Sequence, residues 1–291
     1  MARDPAAQTA FGPMLLAAVE HNVPPERRLV DDDLAEAFLP AHLRALVQAT
    51  RMSAVRNAVI AAAERSGPGL WASIACRKRF IDERLSDPLN DVGAAVILGS
   101  GMDTRPYRIA RHSDLPVFEV DQQVNIDRKT AVVDKVLGGL PASVRLVTVD
   151  FERDDLMSTL SAEGFHDDGA TLFIWEGVTQ YLTPEAVHAT FEQLRQAAPG
   201  SRLIFTYVRQ DFIDGVNLYG AQSLYRRFRK RREVWKSGFE PEGLEDILRG
   251  YGWRVIEQAG PGYYRDTYIR PTGRKLSASQ LEWTAHAVRL A

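Results

Sequence analysis

Residues 94–121 read AAVILGSGMDTRPYRIARHSDLPVFEVD, and this stretch decides the fold. The apolar run 94–98 ends in a turn, Gly99-Ser100-Gly101. A short segment of helical character follows, and a second apolar run closes on two acids, Glu119 and Asp121. Strand, glycine turn, helix, strand, acid is the arrangement that holds a nucleoside-bearing ligand at the edge of a parallel sheet. The glycines let the backbone approach the ligand. The acid follows about 20 residues later, where a ribose diol needs acceptors.

Working outward, short apolar strands alternate with helices. Candidate strands are 94–98, 116–120, 145–149, 171–175 and 202–208. Between the last two, Thr183 is a suitable N-cap, Pro184 suits a first helical turn, and Val187, Phe191 and Leu194 recur at helical spacing. Pro199-Gly200 ends that helix. This alternation predicts an α/β protein with a mostly parallel sheet covered on both faces. Near the end, 241–250 reads as a helix, and 253–256 and 263–269 read as two strands forming an antiparallel end to the sheet. Residues 13–75 read as helical, broken at Pro24-Pro25 and Pro40, with Leu34, Phe38 and Leu39 among the periodic apolar positions. Residues 210–240 fit the alternation least. They carry Tyr219, Tyr225, Trp235 and a basic run, Arg226, Arg227, Arg229, Lys230, Arg231 and Arg232. That run reads as a solvated helix face or as a contact for an anionic partner.

With 291 residues, 36 Lys and Arg against 38 Asp and Glu, and a formal net charge of −2, nothing global points to nucleic acid or a membrane surface. The single cysteine, Cys76, excludes a disulfide framework and a cysteine-rich metal site. No apolar run is long enough for a membrane span, and the first residues lack a signal pattern. The expectation is a cytoplasmic protein without a metal, taking a small-molecule partner; a homo-oligomer stays open.

The turn narrows the ligand class. A nicotinamide enzyme wants G-x-G-x-x-G facing a pyrophosphate. Here Thr104 holds the third position and Asp103 places a negative charge beside the would-be diphosphate. A nucleoside ligand without phosphate, such as S-adenosylmethionine (SAM), suits the turn better.

Further motifs occur in fixed order: RKRFID at 77–82, GSGMDTRPYR at 99–108, FEVD at 118–121, VDFE at 149–152, FIWEGVTQYLTPEAV at 173–187 and WKSGFEPEGL at 235–244. TAFGPMLLAAVE at 9–20 and RPTGR at 270–274 extend the match to nearly the whole chain. Together they resemble the leucine carboxyl methyltransferase-like family of SAM-dependent enzymes, and most closely its bacterial O-methyltransferase branch, often found with secondary metabolites. The resemblance implies a Rossmann-like class I methyltransferase fold, with a mostly parallel seven-stranded sheet and a helical N-terminal cap. The parts outside the predicted sheet are expected to cap the acceptor site, which divides the chain into a cap over residues 1–88 and a SAM-binding domain over 89–291, with a cap insertion at about 210–240.

The same resemblance assigns roles. Arg77 pairs with the SAM carboxylate, a charge-assisted contact. Gly99 and Gly101 form the floor under the methionine part. Asp121 accepts from the ribose hydroxyls, its two oxygens matching a vicinal diol; Glu119, on the same strand face, is the alternative acceptor. Asp150 and Phe151 frame the adenine, and Glu176 holds the SAM ammonium. Asp103 and Arg105 brace the loop or touch ligand. Apart from the resemblance, Tyr181, five residues beyond Glu176, is expected to position the acceptor or a deprotonating water, and from the pool of aromatic residues Tyr207 and Trp235 are taken as acceptor contacts. No histidine stands in a catalytic context, so no essential histidine base is expected. The chain departs from the branch at Ala17, where an arginine is usual, at Ser100, and at Thr179 and Gln180, where apolar residues are commoner.

The leading expectation is methyl transfer from SAM to a small molecule, O-methylation ahead of C- or N-methylation. The rivals are methylation of a protein C-terminal carboxylate, a nicotinamide oxidoreductase, and a non-catalytic SAM-binding protein.

Overall fold

A computed structural model describes residues 11–86, 91–230 and 235–291. Among the described residues, four α-helices precede the sheet: α1 (Phe11–His21), α2 (Ala41–Ala49), α3 (Ser53–Ser66) and α4 (Leu70–Ser86). Then follow β1 (Ala94–Leu98), α5 (Arg105–Ala110), β2 (Val117–Asp121), α6 (Gln123–Leu137), β3 (Val144–Thr148), α7 (Leu156–Ala162), β4 (Thr171–Trp175), α8 (Pro184–Leu194) and β5 (Arg202–Val208). After a short helical turn, Gln210–Ile213, come α9 (Gln222–Lys230), α10 (Leu244–Gly250), β6 (Trp253–Ala259) and β7 (Glu282–Arg289).

The seven strands are ordered β3-β2-β1-β4-β5-β7-β6. All neighbours pair in parallel up to β5, and β7 runs antiparallel to both β5 and β6. Strands β1, β2 and β4 are buried along their full length. A strand covered on both faces reads as a continuous apolar run, which is why these were legible. Connectivity reverses between β1 and β4, and ligands of open α/β sheets bind beside the carboxyl ends of strands at such a switch.

Two cores line the faces. Met14, Phe38, Trp71 and Phe80 join Ile97, Ile174 and Ile204 on one face. Phe118, Trp175, Phe191, Phe205 and Trp253 fill the other. The first core therefore runs without interruption from the N-terminal helices into the sheet. It is stitched further by Glu20, which is fully buried and accepts from Leu29 N (3.1 Å), Trp71 Nε1 (2.7 Å) and both terminal nitrogens of Arg274 (2.7 and 2.8 Å).

Two expectations are corrected. Residues 263–269 are helical, a π turn over Tyr264–Ile269 entered through Pro261–Tyr263. Tyr264, Tyr268 and Ile269 are the buried positions, a helical rather than an alternating spacing. Tyr268 donates to Glu83 of α4 (2.6 Å), so this segment packs on the N-terminal helices. The antiparallel strand is β7 instead. Residues 34–39 form turns, although Leu34, Phe38 and Leu39 are buried as their apolar character requires. Most of the basic run at 226–232 lies outside the described side chains; Arg226 is exposed. Among the described residues no helix is long and apolar enough to cross a membrane, and no cluster of three or more His, Cys, Asp or Glu could hold a metal.

β7 carries a buried histidine, His286, whose Nε2 has no partner among the described residues. Burial, with Arg84 and Arg202 nearby and only Glu257 opposing, pushes its pKa from 6.5 down to about 4. The unfolded chain takes up this proton at a higher pH than the folded one. Stability therefore falls as pH drops from about 6.5 toward about 4. Urea unfolding midpoints at pH 7 and pH 5 should differ measurably in the parent and converge in His286→Leu. Equal pH slopes in the two proteins would show that another group sets this limb.

Candidate functional site

The glycine turn prolongs the β1–β2 ladder. Gly99 N and Ser100 N both donate to Val120 O (2.7 and 3.0 Å). Gly99 and Gly101 have φ of +67° and +47°, a region side chains rarely adopt. Gly99 has a second reason to lack a side chain: a Cβ there would lie 2.3 Å from Val178 Cγ2. The loop after β4 thus lies directly against the turn after β1.

At the end of β2, Asp121 is nearly buried and closes on the turn. Its Oδ2 accepts from Gly101 N (2.7 Å), and its Oδ1 from Gln122 N and Asn125 Nδ2 (both 2.7 Å). A carboxylate has about four acceptor sites, so one remains. Glu119 is placed differently. It is wholly buried, accepts from Tyr107 OH (2.6 Å) and pairs with Lys129 of α6. Burial raises its pKa, with Lys129 and Tyr107 opposing. Glu119 thus serves the packing of α5 and α6 against β2.

At the end of β4 lies a buried group of charges. Glu176 Oε1 takes Arg77 Nε (2.9 Å) and faces Lys78 Nζ (3.5 Å), and Oε2 takes Arg105 Nη1 (2.5 Å). Burial alone would raise its pKa, but Lys78, Arg105 and Arg77 outweigh burial and hold it well below the ordinary carboxylate range. Arg77 also pairs with Glu282 of β7. Arg105 is almost fully buried and ties together Asp82 (2.5 Å), Asp103 (2.6 Å) and Glu176. Asp103 and Arg105 therefore brace the loop. Gly177 follows, where a Cβ would lie 3.1 Å from Arg77 Nη2.

Beyond the end of β3, Phe151 stacks near Trp175 with centroids 6.1 Å apart, and Asp150 is half-buried in the loop after that strand. Glu152 bridges that loop to the next by accepting from Thr183 N (3.0 Å) and Thr183 Oγ1 (2.7 Å). The segment 235–239 lies over the loop after β4. Lys236 N donates to Gln180 O (2.7 Å) and Ser237 Oγ to Leu182 O (2.6 Å). Trp235 packs on Phe212 (centroids 6.0 Å apart) in a small third core with Val208, Ala221 and Leu224. Tyr181 is half-buried in the 3-10 turn Thr179–Tyr181.

The structure does not bring Tyr207 to these strand-end residues. Its ring is fully buried among Phe205 and Phe239, and its hydroxyl donates to Gln258 of β6 (2.6 Å). Sequence reasoning missed Lys78, Glu282 and Asn125. Lys78 was visible beside Arg77. Asn125 is four residues after Asp121, one helical turn into α6. Glu282 carried no comparable signal, because it opens a run, EWTAHAVR, that mixes polar and apolar residues.

The leucine carboxyl methyltransferase family profile matches residues 10–195. A protein of Mycolicibacterium smegmatis, provisionally named an S-adenosyl-L-methionine-dependent methyltransferase, is 32% identical over 207 residues, covering 68% of this chain and 67% of that protein. One of the same name from Mycobacterium avium is 35% identical over 199 residues, 64% and 63% of the two chains. The chain thus spans about two thirds of the length of these relatives. By fold, a methyltransferase so named from Thermobifida fusca superposes over 100% of both chains with a TM-score of 0.56 at 17% identity. A DUF574 family protein from Streptomyces avermitilis gives 0.55 at 13% identity over 94% and 96%. At such identities the likeness is one of fold: a class I, Rossmann-like methyltransferase sheet.

Proposed function

The chain belongs to the leucine carboxyl methyltransferase family of SAM-dependent enzymes, and from that premise we propose that it transfers the SAM methyl group to a small-molecule acceptor of the secondary-metabolite kind, at oxygen before carbon or nitrogen. The observation that carries the reading is the pairing, around one switch point, of Asp121 closed on Gly101 N (2.7 Å) with the Arg77–Glu176 pair (2.9 Å).

The residues fit such a ligand. Two of the five N–H donors of Arg77 are taken by Glu176 and Glu282, which leaves donors for a carboxylate. Glu176, with three cation partners, keeps about one acceptor site for an ammonium. Asp121 can take one ribose hydroxyl without releasing Gly101. Asp150 and Phe151 offer an acceptor and an apolar face to adenine.

Bound SAM supplies a methyl group activated by its sulfonium. The protein's work is then alignment and exclusion of water. Orientation of this kind can lower a barrier by roughly 7–11 kcal/mol. The glycine turn and the loop after β4 hold one partner. The helices before β1 and the 210–240 insertion cap the other, with Tyr181 and Trp235 at the acceptor. None of the residues assigned here is a histidine, so the pH profile of turnover should lack a limb that a single His→Ala change abolishes.

The family name, leucine carboxyl methyltransferase, supports a second reading with a carboxylate as acceptor, which we take as that of a protein C-terminus. Incubation with methyl-labelled SAM and cell extract separates the two by whether label enters small molecules or protein. Calorimetry should show SAM binding and no tight NAD binding; the reverse pattern would replace methyl transfer with hydride transfer.

A further inference from the structure

Gln180 is 5% exposed, yet its side-chain carbonyl Oε1 makes no hydrogen bond among the described residues. Leaving a buried acceptor without a donor costs roughly 1–3 kcal/mol, and native structures contain few such atoms. The residue is fixed at its backbone. It lies in the 3-10 turn Thr179–Tyr181, where Thr179 Oγ1 donates to Thr206 O (2.8 Å), and its own carbonyl receives Lys236 N (2.7 Å).

Its place in the fold is specific. Two residues before it, Val178 lies against Gly99; three before it, Gly177 lies against Arg77. On its other side is the segment that brings Trp235 onto Phe212. Gln180 thus stands between the loop that touches Gly99 and Arg77 and the segment that follows the 210–230 region. It is also one of the positions at which this chain puts a polar residue where its resemblance leads one to expect an apolar one.

We propose that Gln180 selects the acceptor: Oε1 receives a hydrogen bond from a hydroxyl or N–H on the molecule to be methylated. This rests on the methyltransferase reading above and narrows its substrate class. A carboxylate at neutral pH has no proton to offer this atom, whereas a phenol or amine does. A site built around a hydrogen bond rejects analogues that lack the donor far more strongly than an apolar pocket can.

The test pairs Gln180→Leu with four probes sharing one ring: phenol, aniline, anisole and benzoate. They are added to the protein saturated with S-adenosylhomocysteine, and thermal midpoints are read. In the parent, phenol and aniline should raise the midpoint above the effect of anisole and benzoate. In Gln180→Leu that preference should vanish. The variant itself should melt on the order of 2 °C higher, because an unpaired buried acceptor has gone, and its SAM affinity by calorimetry should stay within about twofold. A lower midpoint in the variant would mean the amide is part of the fold's own bonding and would overturn the proposal. So would four probes acting alike, or benzoate acting best. If the parent fails to bind SAM at all, the methyltransferase reading fails; if it binds SAM but shows no donor preference, only the role of Gln180 fails.

Discussion

Glu176→Leu should melt on the order of 10 °C below the parent. The substitution leaves Arg77, Lys78 and Arg105, all nearly buried, with one shared carboxylate fewer. Removing one partner of a buried ion pair costs about 3–5 kcal/mol, most of it the penalty of the charges left behind. For a chain of this size each kcal/mol moves the midpoint by a few degrees. Glu176→Gln, which keeps an acceptor oxygen, should lose less. The pH dependence adds a check. Glu176 is held below its ordinary pKa, so its contribution is complete above the unfolded value near 4.5 and is lost as pH falls through the folded one. The leucine variant should therefore show a shallower loss of stability below pH 4.5. A midpoint within about 2 °C of the parent would show that Asp82, Asp103 and Glu282 suffice for the three cations.

Asp121→Ala should weaken SAM binding by roughly 10- to 100-fold, the range expected when hydrogen bonds to a charged acceptor are lost. Two causes would act together: the proposed ribose contact, and release of Gly101 N from Oδ2. Asp121→Asn separates them, because the amide oxygen can still receive Gly101 N while the charge is gone. A loss in Asn close to that in Ala assigns the effect to the ligand contact. A loss in Ala alone assigns it to the glycine turn. Unchanged calorimetric affinity in both would remove Asp121 from the cofactor site.

The doubly covered strands were legible because burial on both faces writes a continuous apolar run. β1, β4 and β5 begin and end where the sequence places them. β7 was not, because its neighbours are irregular and its run EWTAHAVR mixes Glu282, Thr284 and His286 with apolar residues. Those polar residues are buried by tertiary partners, Arg77 for Glu282 and Tyr264 for Thr284, which no local pattern reveals. Aromatic and β-branched residues at 263–269 suggested a strand; Pro261 at a first helical position and the buried set Tyr264, Tyr268 and Ile269 decided for a helix. In the site, glycines and strand-end acids were readable because their roles are backbone roles. Glu119 and Asp121 differ by two positions on one strand face, and only the three-dimensional placement of Lys129 and Tyr107 separates them. Tyr207 was chosen from a pool of aromatic residues, but its hydroxyl is claimed by Gln258 within the core.

The clasp between Glu20 and Arg274 also bears on how the chain is made. Glu20 emerges from the ribosome 254 residues ahead of the arginine that neutralises it. At synthesis rates of roughly 5–20 residues per second, the delay is on the order of 10–50 s. Throughout that interval α1 cannot bury its acid without leaving an unpaired charge. Leu29 N and Trp71 Nε1 are available to Glu20 early, but its charge partner is the last of the set to be made, so the fully paired seat of α1 is completed only once Arg274 has been added.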